Sequence, residues 1–219
     1  MANLTKSSGN MYSWVSHTWS PGRGCTFQCL YCYVKNFGGN PATFRLELPF
    51  PNLGKQKSIF VGHMCDLFSD AVSDSDINQV LDHCKKYPLN QYVFQTKNPE
   101  RLLEFTLPEH SVVGTTIETD NAELLAHYSQ APKPLDRAMA MNQIRGKIFI
   151  TIEPIMKFNL HEMLRLIEIA SPSFVNIGAD SKNNRLPEPG RDDVLALIAG
   201  IKATGIDIRQ KTNLSRLLK

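Results

Sequence analysis

Short apolar runs alternate with helix-like stretches along most of the chain. Each run is rich in β-branched or aromatic residues, ends in polar side chains, and is followed by a loop and a helix-prone segment. The predicted strands are 58–63, 91–96, 112–118, 147–153, 174–178 and 206–210, with a further run around Ser13 to Trp19. Strands that alternate with helices predict parallel βα units.

Three of the intervening helices are indicated by apolar residues at helical spacing. Asp74 or Ser75 is expected to cap the first of them, and Gly205 to end the third. The three apolar stripes are Ile77, Val80, Leu81 and Cys84; Leu160, Met163, Leu164 and Ile167; and Val194, Leu197, Ile198 and Ile201.

The order of these elements predicts an α/β fold in a single domain spanning 1–219. About seven βα units suit a partial TIM-like (β/α)6-7 barrel with parallel strands, whose reactive groups gather at the carboxyl ends of the strands. An open, doubly wound sheet is the alternative, and it also places ligands at the strand ends. A chain of 219 residues is long enough for one well-buried core.

Composition narrows the functional class only slightly. A net charge of +3 is too small to indicate nucleic-acid binding by itself. The N-terminal sequence lacks the apolar run of a signal peptide, and no window has the roughly 20 apolar residues of a membrane span. We therefore expect a soluble, cytoplasmic protein with no membrane partner. The five cysteines, an odd number, fit a reducing compartment.

Three of those cysteines, Cys25, Cys29 and Cys32, fall within a loop at 20–39. Cysteine thiolates are soft ligands that suit zinc or iron–sulfur clusters. A structural zinc site requires four ligands, and the nearest other candidates, His17 and His63, show no paired spacing. A [4Fe–4S] cluster held by three thiolates keeps one iron open to a small molecule. The spacing favours the cluster over zinc or unliganded thiols.

The motif C-x-x-x-C-x-aromatic-C, with Tyr31 as the aromatic residue, resembles the signature of the radical S-adenosylmethionine superfamily. Seven further segments, in order, resemble a poorly characterised radical-SAM-like family found mostly in phages and prophages. They are HTWSPGRGC, IFVGHMCDLFSD, YVFQTKNPERL, VVGTTIETDN, IFITIEPI, FVNIGADS and RQKTN, and together they span nearly the whole chain.

The resemblance implies an enzyme with a [4Fe–4S] cluster and S-adenosylmethionine as cofactors. In this superfamily the amino and carboxylate groups of S-adenosylmethionine chelate the open iron. An electron from a partner such as flavodoxin or ferredoxin then cleaves the sulfonium, and the 5'-deoxyadenosyl radical abstracts hydrogen from a substrate. The phage association suggests a nucleotide or nucleic acid as substrate. The alternatives are an activase that makes a glycyl radical on a partner protein, and a non-catalytic iron–sulfur sensor or electron carrier.

The resemblance, with the positions of the strand ends, also suggests which side chains meet the cofactor. Asp66, or less favourably His63, would hold the amino group of S-adenosylmethionine, unless Asp66 only caps a turn. Lys97 would meet a carboxylate or phosphate, and Thr116 or Glu118 the ribose. Tyr31 is expected beside the adenine.

Two further residues have competing interpretations. Glu153 ends a very apolar strand, so it is expected either to contact S-adenosylmethionine or substrate, or to form an ion pair with Arg209 or Lys211. Cys65 follows a strand end and could return a hydrogen atom to a product radical, although buried thiols are common. Cys84 lies on the apolar stripe of its helix and is expected in the core.

Overall fold

The structure, a computed structural model, describes residues 3–39 and 41–219. The strands are β1 (Thr5–Lys6), β2 (His17–Trp19), β3 (Gly22–Arg23), β4 (Arg45–Leu46), β5 (Ser58–Val61), β6 (Gln91–Gln95), β7 (Ser111–Thr116), β8 (Lys147–Ile152), β9 (Phe174–Ile177) and β10 (Asp207–Gln210). The α-helices are α1 (Asp74–Lys85), α2 (Pro99–Leu102), α3 (Ala122–Ala126), α4 (Pro134–Gln143), α5 (Leu160–Ala170) and α6 (Arg191–Ala203), and 3-10 helices cover Tyr33–Phe37 and Thr212–Leu217.

Eight of these strands form one sheet in the order β1-β2-β5-β6-β7-β8-β9-β10. The pairs β2–β5, β5–β6, β8–β9 and β9–β10 are parallel, whereas β1 pairs with β2 in antiparallel fashion. The prediction of an α/β fold with a mostly parallel sheet, as in a partial TIM-like barrel, is confirmed. The antiparallel β1 was not predicted, because two residues are too few to show a periodic pattern.

The chain divides into two compact units. The first consists of Met1–Gln28 and Cys32–Val113, and the second of Cys29–Tyr31 and Gly114–Lys219. The short segment Cys29–Tyr31 therefore belongs with the C-terminal half of the sequence. That 1–219 forms a single domain stays a prediction.

The core of the first unit lies between the parallel strands and α1. The helix buries the predicted stripe of Ile77, Val80, Leu81 and Cys84. Its N-cap is Ser73 rather than the predicted Asp74 or Ser75, and the Ser73 hydroxyl accepts the backbone N–H of Asp76. A serine in extended backbone conformation satisfies an otherwise unpaired amide, which is why the helix begins there.

The core of the second unit is formed by the apolar alternation of β8 and β9 and by α5 and α6. The stripe predicted for α6 is fully buried. In α5 the buried residues are Met163, Leu166, Ile167 and Ala170, whereas Leu160 is 38% exposed. The predicted stripe was thus wrong at Leu160, the first residue of the helix, and at Leu164, which is only partly buried.

One face of β8 and β9 changes from aromatic to polar side chains along the strands. Near the start of these strands the rings of Phe149 and Phe174 stack with centroids 5.2 Å apart. One step further, the buried side chains of Thr151 and Asn176 are partners in register. Side chains alternate along a strand, so Glu153 follows on the same face at the carboxyl end. Polarity thus increases toward the strand ends.

None of the helices within the described residues has both the length and the apolar character needed to cross a bilayer.

Candidate functional site

The entry to the cysteine loop is fixed by a close approach of two backbones in the first unit. Strand β3 pairs with β4, and the amide of Cys25 donates to the carbonyl of Pro41 at 2.8 Å. Gly24 has φ +119°, and a Cβ there would lie 2.2 Å from the Thr43 carbonyl oxygen. Only glycine tolerates both conditions. The backbone that presents Cys25 is therefore tightly defined.

Cys65 lies beside this entry, in the loop that follows β5. It forms an isolated parallel bridge with Gly24, and its amide donates to the Gly62 carbonyl at 3.1 Å. Burial raises the pKa of the Cys65 thiol, and the charges of Asp66 and Cys25 raise it further. Cys65 consequently keeps its S–H hydrogen at neutral pH.

Asp66 and Lys97 come together in the first unit. Oδ2 of Asp66 accepts the backbone amide of Lys97 at 2.8 Å, while Oδ1 accepts the amide of Phe68 at 3.1 Å. Burial raises the pKa of the Asp66 carboxyl, and the hydrogen bond from the Lys97 amide opposes that effect. The turn-capping interpretation of Asp66 thus describes a real contact. Its role toward an amino group, and that of Lys97 toward an anion, stay predictions.

His63 is held between Ser20 and Tyr33. Its Nδ1 lies 3.0 Å from the Ser20 hydroxyl, and its carbonyl accepts the Tyr33 hydroxyl. Burial lowers the pKa of His63, and the charge of Arg23 lowers it further. Burial likewise raises the pKa of Tyr33, with a smaller contribution from Cys32, the residue that precedes the 3-10 helix. The imidazole is therefore neutral at physiological pH, and its cofactor role stays a prediction.

In the second unit, each residue of Cys29–Tyr31 is attached by its own hydrogen bond. The sulfur of Cys29 lies 3.1 Å from the hydroxyl oxygen of Ser129. The amide of Leu30 donates to the Tyr128 carbonyl at 2.8 Å, and the Tyr31 hydroxyl donates to the Glu118 carboxylate. Both partners of the first two bonds follow α3, and Glu118 follows β7. The middle of the cysteine motif is thus anchored at three consecutive positions.

The Glu118 carboxylate also pairs with Arg137, a residue that sequence reasoning missed. Arg137 Nη1 lies 2.9 Å from Glu118 Oε2, and both side chains are 0% exposed. The same nitrogen donates to the Thr116 carbonyl at 2.7 Å, and Nε donates to the Pro132 carbonyl at 2.7 Å. Buried Nη2 has no hydrogen-bond partner. The sequence contains one indication of this pair: Arg137 lies among the apolar residues of α4, beside Ala138 and Met141, and a buried arginine requires a partner.

This network changes the chemistry of Tyr31. Burial raises the pKa of Tyr31 well above its usual range, and the negative charge of Glu118 adds to the effect. The phenol therefore stays protonated and donates its hydrogen to the carboxylate. Proximity of Tyr31 to adenine, and of Thr116 or Glu118 to ribose, stays a prediction.

Glu153 lies in a separate polar group at the carboxyl end of β8. Its Oε2 is 2.9 Å from Lys211 Nζ, and its Oε1 accepts Asn213 Nδ2 at 3.1 Å. A Cβ at Gly178 would lie 2.9 Å from the Glu153 carboxyl carbon, so this glycine makes room for it. Of the two predicted cations, Lys211 forms the pair. The Arg209 guanidinium instead lies over the Phe174 ring, 3.7 Å from its centroid.

The loop after β9 is built around Asp180. Its carboxylate accepts the backbone amides of Lys182, at 3.0 Å, and Asn184. Arg216 donates to both carboxylate oxygens of Glu188 nearby. Asp180, Glu188 and Arg216 border a cavity of about 320 Å³. The ion pair of Arg216 with Glu188 and the amide contacts of Asp180 give the loop a defined shape.

The donor chemistry of the motif fits an iron–sulfur cluster. All five cysteines are reduced thiols, and Cys25 and Cys29 are buried while Cys32 is partly exposed. Within residues 3–39 and 41–219, no three His, Cys, Asp or Glu side chains form a group arranged to hold a metal ion. The assignment of the three motif cysteines as cluster ligands therefore depends on their type and spacing.

The family model described as "Protein of unknown function (DUF5131)" matches residues 10–187. The chain belongs to this family. The DUF5131 match includes the cysteine loop, Asp66, Glu118 and Glu153, and it ends before Lys211. The resemblance to a phage and prophage family stays a prediction. No curated protein matches the sequence.

Solved structures share the fold of this DUF5131 member at low identity. A spore photoproduct lyase mutant has a TM-score of 0.65 and 10% identity over 95% of this chain and 80% of the other. A second mutant of that enzyme, with bound AdoMet and dinucleoside spore photoproduct, has a TM-score of 0.65 and 11% identity. That match covers 92% of this chain and 78% of the other. Streptococcus suis SuiB bound to S-adenosylmethionine has a TM-score of 0.54 and 11% identity. That match covers 87% of this chain but only 45% of SuiB. These likenesses show the fold.

Proposed function

We propose that this protein is a radical S-adenosylmethionine enzyme. Cys25, Cys29 and Cys32 hold a [4Fe–4S] cluster, which supplies the electron that cleaves S-adenosylmethionine to methionine and a 5'-deoxyadenosyl radical, and the radical abstracts hydrogen from a substrate. The carrying observation is the C-x-x-x-C-x-aromatic-C spacing of three reduced thiols. A fold shared with proteins solved with bound AdoMet or S-adenosylmethionine supports it.

Contacts within the chain fix the position of the cysteine loop at two places. The backbone contact at Gly24 fixes the entry to Cys25, and the contacts of Cys29 and Tyr31 fix the middle of the motif. The loop is held by its backbone and by Tyr31, and the three sulfurs that it carries are soft ligands of the kind that suit an iron–sulfur cluster. Pre-ordering of a ligand loop lowers the entropy cost of binding the cluster.

For S-adenosylmethionine we propose contacts from residues at the strand ends and in the cysteine loop. Asp66, or less favourably His63, holds the amino group, and Lys97 meets the carboxylate. Tyr31 lies near the adenine, Thr116 or Glu118 near the ribose, and Glu153 meets S-adenosylmethionine or substrate. The buried Asp66 carboxylate supports this most directly, since a buried carboxylate gains stability from a cationic partner.

For substrate we propose a nucleotide or nucleic acid. Spore photoproduct lyase was solved with a dinucleoside, and SuiB with a precursor peptide. The similarity to spore photoproduct lyase is greater, with TM-scores of 0.62–0.65 against 0.54, and it covers 78–80% of that protein against 45–47% of SuiB. That difference favours the nucleotide class over a peptide.

Cys65 is our candidate for a hydrogen-atom donor to a product radical. Burial keeps its thiol protonated, which is the form that can donate a hydrogen atom. In a Cys65→Ala variant we expect 5'-deoxyadenosine to form at the wild-type rate while product formation falls. Equal product formation by both proteins would remove Cys65 from the mechanism.

The enzyme proposal is tested by anaerobic cluster reconstitution followed by reduction with dithionite, or with flavodoxin or ferredoxin, and addition of S-adenosylmethionine. We expect wild type to bind four irons and release 5'-deoxyadenosine. Cys29→Ala should lose the cluster absorbance and the product, whereas Cys84→Ala, which alters a buried thiol on α1, should keep both. An intact, reduced cluster that yields no 5'-deoxyadenosine would instead support an iron–sulfur sensor or electron carrier.

The substrate proposal has its own assay. The reconstituted enzyme is incubated with deuterated nucleotide, DNA or tRNA pools, and deuterium in 5'-deoxyadenosine is measured by mass spectrometry. Transfer from one pool identifies the class. Transfer only from a large protein partner would support a glycyl-radical activase instead.

A further inference from the structure

The contact between Cys29 and Ser129 joins a proposed cluster ligand to a buried hydroxyl. The sulfur and oxygen lie 3.1 Å apart, although the residues are 100 positions apart in sequence. Both residues are 6% exposed, so water does not compete freely for either group. A hydrogen bond shielded in this way has a larger electrostatic effect than one at the surface.

The direction of this hydrogen bond depends on the protonation state of Cys29. The Ser129 oxygen accepts the backbone amide of Ala131 at 3.2 Å, so its own hydrogen is available for donation. A thiolate can only accept. When Cys29 is deprotonated as a ligand, Ser129 is therefore the donor and the sulfur the acceptor.

The position of Ser129 is itself well defined. Its amide donates to the Leu125 carbonyl at 2.9 Å, in the turn that follows α3. The preceding residue, Tyr128, accepts the amide of Leu30 at 2.8 Å. The two chain segments thus run together over adjacent residues, and the hydroxyl is held against the sulfur by more than one bond.

We propose that Ser129 is a positioning residue that hydrogen-bonds the Cys29 thiolate and raises the reduction potential of the cluster. The inference rests on the proposed function, because it requires Cys29 to be a cluster ligand. Hydrogen bonds to cluster sulfurs are one of the factors that set the potential, since they stabilise negative charge, and the reduced cluster carries one more electron.

The test compares Ser129→Ala with Ser129→Thr, which keeps a hydroxyl. Ser111→Ala is the control, because the Ser111 hydroxyl donates to the Pro108 carbonyl at the start of β7. The midpoint potential of each reconstituted protein is measured by EPR-monitored redox titration. We expect Ser129→Ala to favour the oxidised cluster by up to about tenfold, which is about 59 mV for one electron. Ser129→Thr and Ser111→Ala should match wild type.

A second measurement separates a hydrogen bond from a general effect on packing. In deuterated buffer, ENDOR of the reduced wild-type cluster should show an exchangeable deuteron coupling that Ser129→Ala lacks and Ser129→Thr retains. This comparison remains possible between wild type and Ser129→Thr if Ser129→Ala loads poorly. Absence of the coupling from wild type would overturn the inference.

The outcomes distinguish this inference from the proposed function. A wild type that binds its cluster and forms 5'-deoxyadenosine, with the same potential as Ser129→Ala, overturns only the role of Ser129. A wild type that binds no cluster with Cys25, Cys29 and Cys32 intact overturns both.

Discussion

The buried pair of Glu118 and Arg137 allows a quantitative prediction. In Glu118→Gln the side-chain shape is kept, but the guanidinium loses the carboxylate that it contacts at a position where both wild-type side chains are 0% exposed. Removing one partner of a buried ion pair costs about 3–5 kcal/mol, because the other charge is left without compensation. Rearrangement of Arg137 should not reduce this free-energy cost, because its Nη1 and Nε are held by backbone carbonyls. Its buried Nη2 has no hydrogen-bond partner that could compensate the charge.

The expected change is large enough to measure in the apoprotein. For a chain of this size, 1 kcal/mol shifts Tm by roughly 2–4 °C, so a loss of about 3–5 kcal/mol corresponds to a decrease of about 6–20 °C. Urea unfolding followed by far-UV circular dichroism under anaerobic conditions gives the free energy of unfolding for Glu118→Gln, Arg137→Met and the double variant. The double variant should cost less than the sum of the single variants, with a coupling of about 2 kcal/mol or more.

The control is the exposed pair Arg165–Glu162, whose side chains are 50% and 46% exposed. Arg165→Met should change the free energy of unfolding by less than about 1 kcal/mol. A buried, coupled ion pair is contradicted if Glu118→Gln also costs less than about 1 kcal/mol, or if the two single variants are additive. Either result would mean that the charges are solvated or that the pair does not form.

Three further predictions concern stability. Gly24→Ala should abolish cluster loading and lower Tm, because its Cβ would lie 2.2 Å from a backbone oxygen; Gly146→Ala, with φ +110° and nothing within 4 Å, should cost only about 1–2 kcal/mol. Equal effects of the two would contradict the clash. Burial raises the pKa of Cys84, so its contribution to stability is present below the unfolded pKa of about 8.5 and is lost as pH rises above it. The free energy of unfolding of Cys84→Ala should therefore fall less steeply above that pH, by up to about 1.4 kcal/mol per pH unit, and parallel curves would refute this. Lys211→Met should cost about 1–3 kcal/mol in urea unfolding, because Glu153 loses its cation; an unchanged value would show that the pair is solvated.

The main strands could be predicted because their alternation and length are local properties of the sequence. The run predicted at 58–63 contains β5 (Ser58–Val61), and that at 147–153 contains β8 (Lys147–Ile152). Strands β3 and β4 were not predicted, since each has two residues and their pairing depends on the backbone contact at Gly24. Local patterns identify elements, whereas short tertiary pairings require the fold.

The candidate site likewise has a part that could be predicted from sequence and a part that could not. The spacing of Cys25, Cys29 and Cys32 is contained in eight consecutive residues and could be interpreted from sequence. Arg137 is 19 positions from Glu118, and Ser129 is 100 positions from Cys29, so no local motif joins either pair. Only the path of the chain after β7 and α3 places these side chains beside the motif.

Glu118 was predicted to contact the ribose because it follows a strand end, and its contacts with Tyr31 and Arg137 restrict that role. A carboxylate has about four acceptor sites, and Tyr31 and Arg137 occupy one on each oxygen. The 0% exposure of the side chain means that a ribose could reach the carboxylate only if a neighbour moved. Arg137 is also held by two backbone carbonyls, and the Tyr31 hydroxyl donates to the same carboxylate, so a ribose that reaches Glu118 must share the carboxylate with Tyr31. A ribose role for Glu118 would therefore couple cofactor binding to the position of Tyr31, the aromatic residue between Cys29 and Cys32.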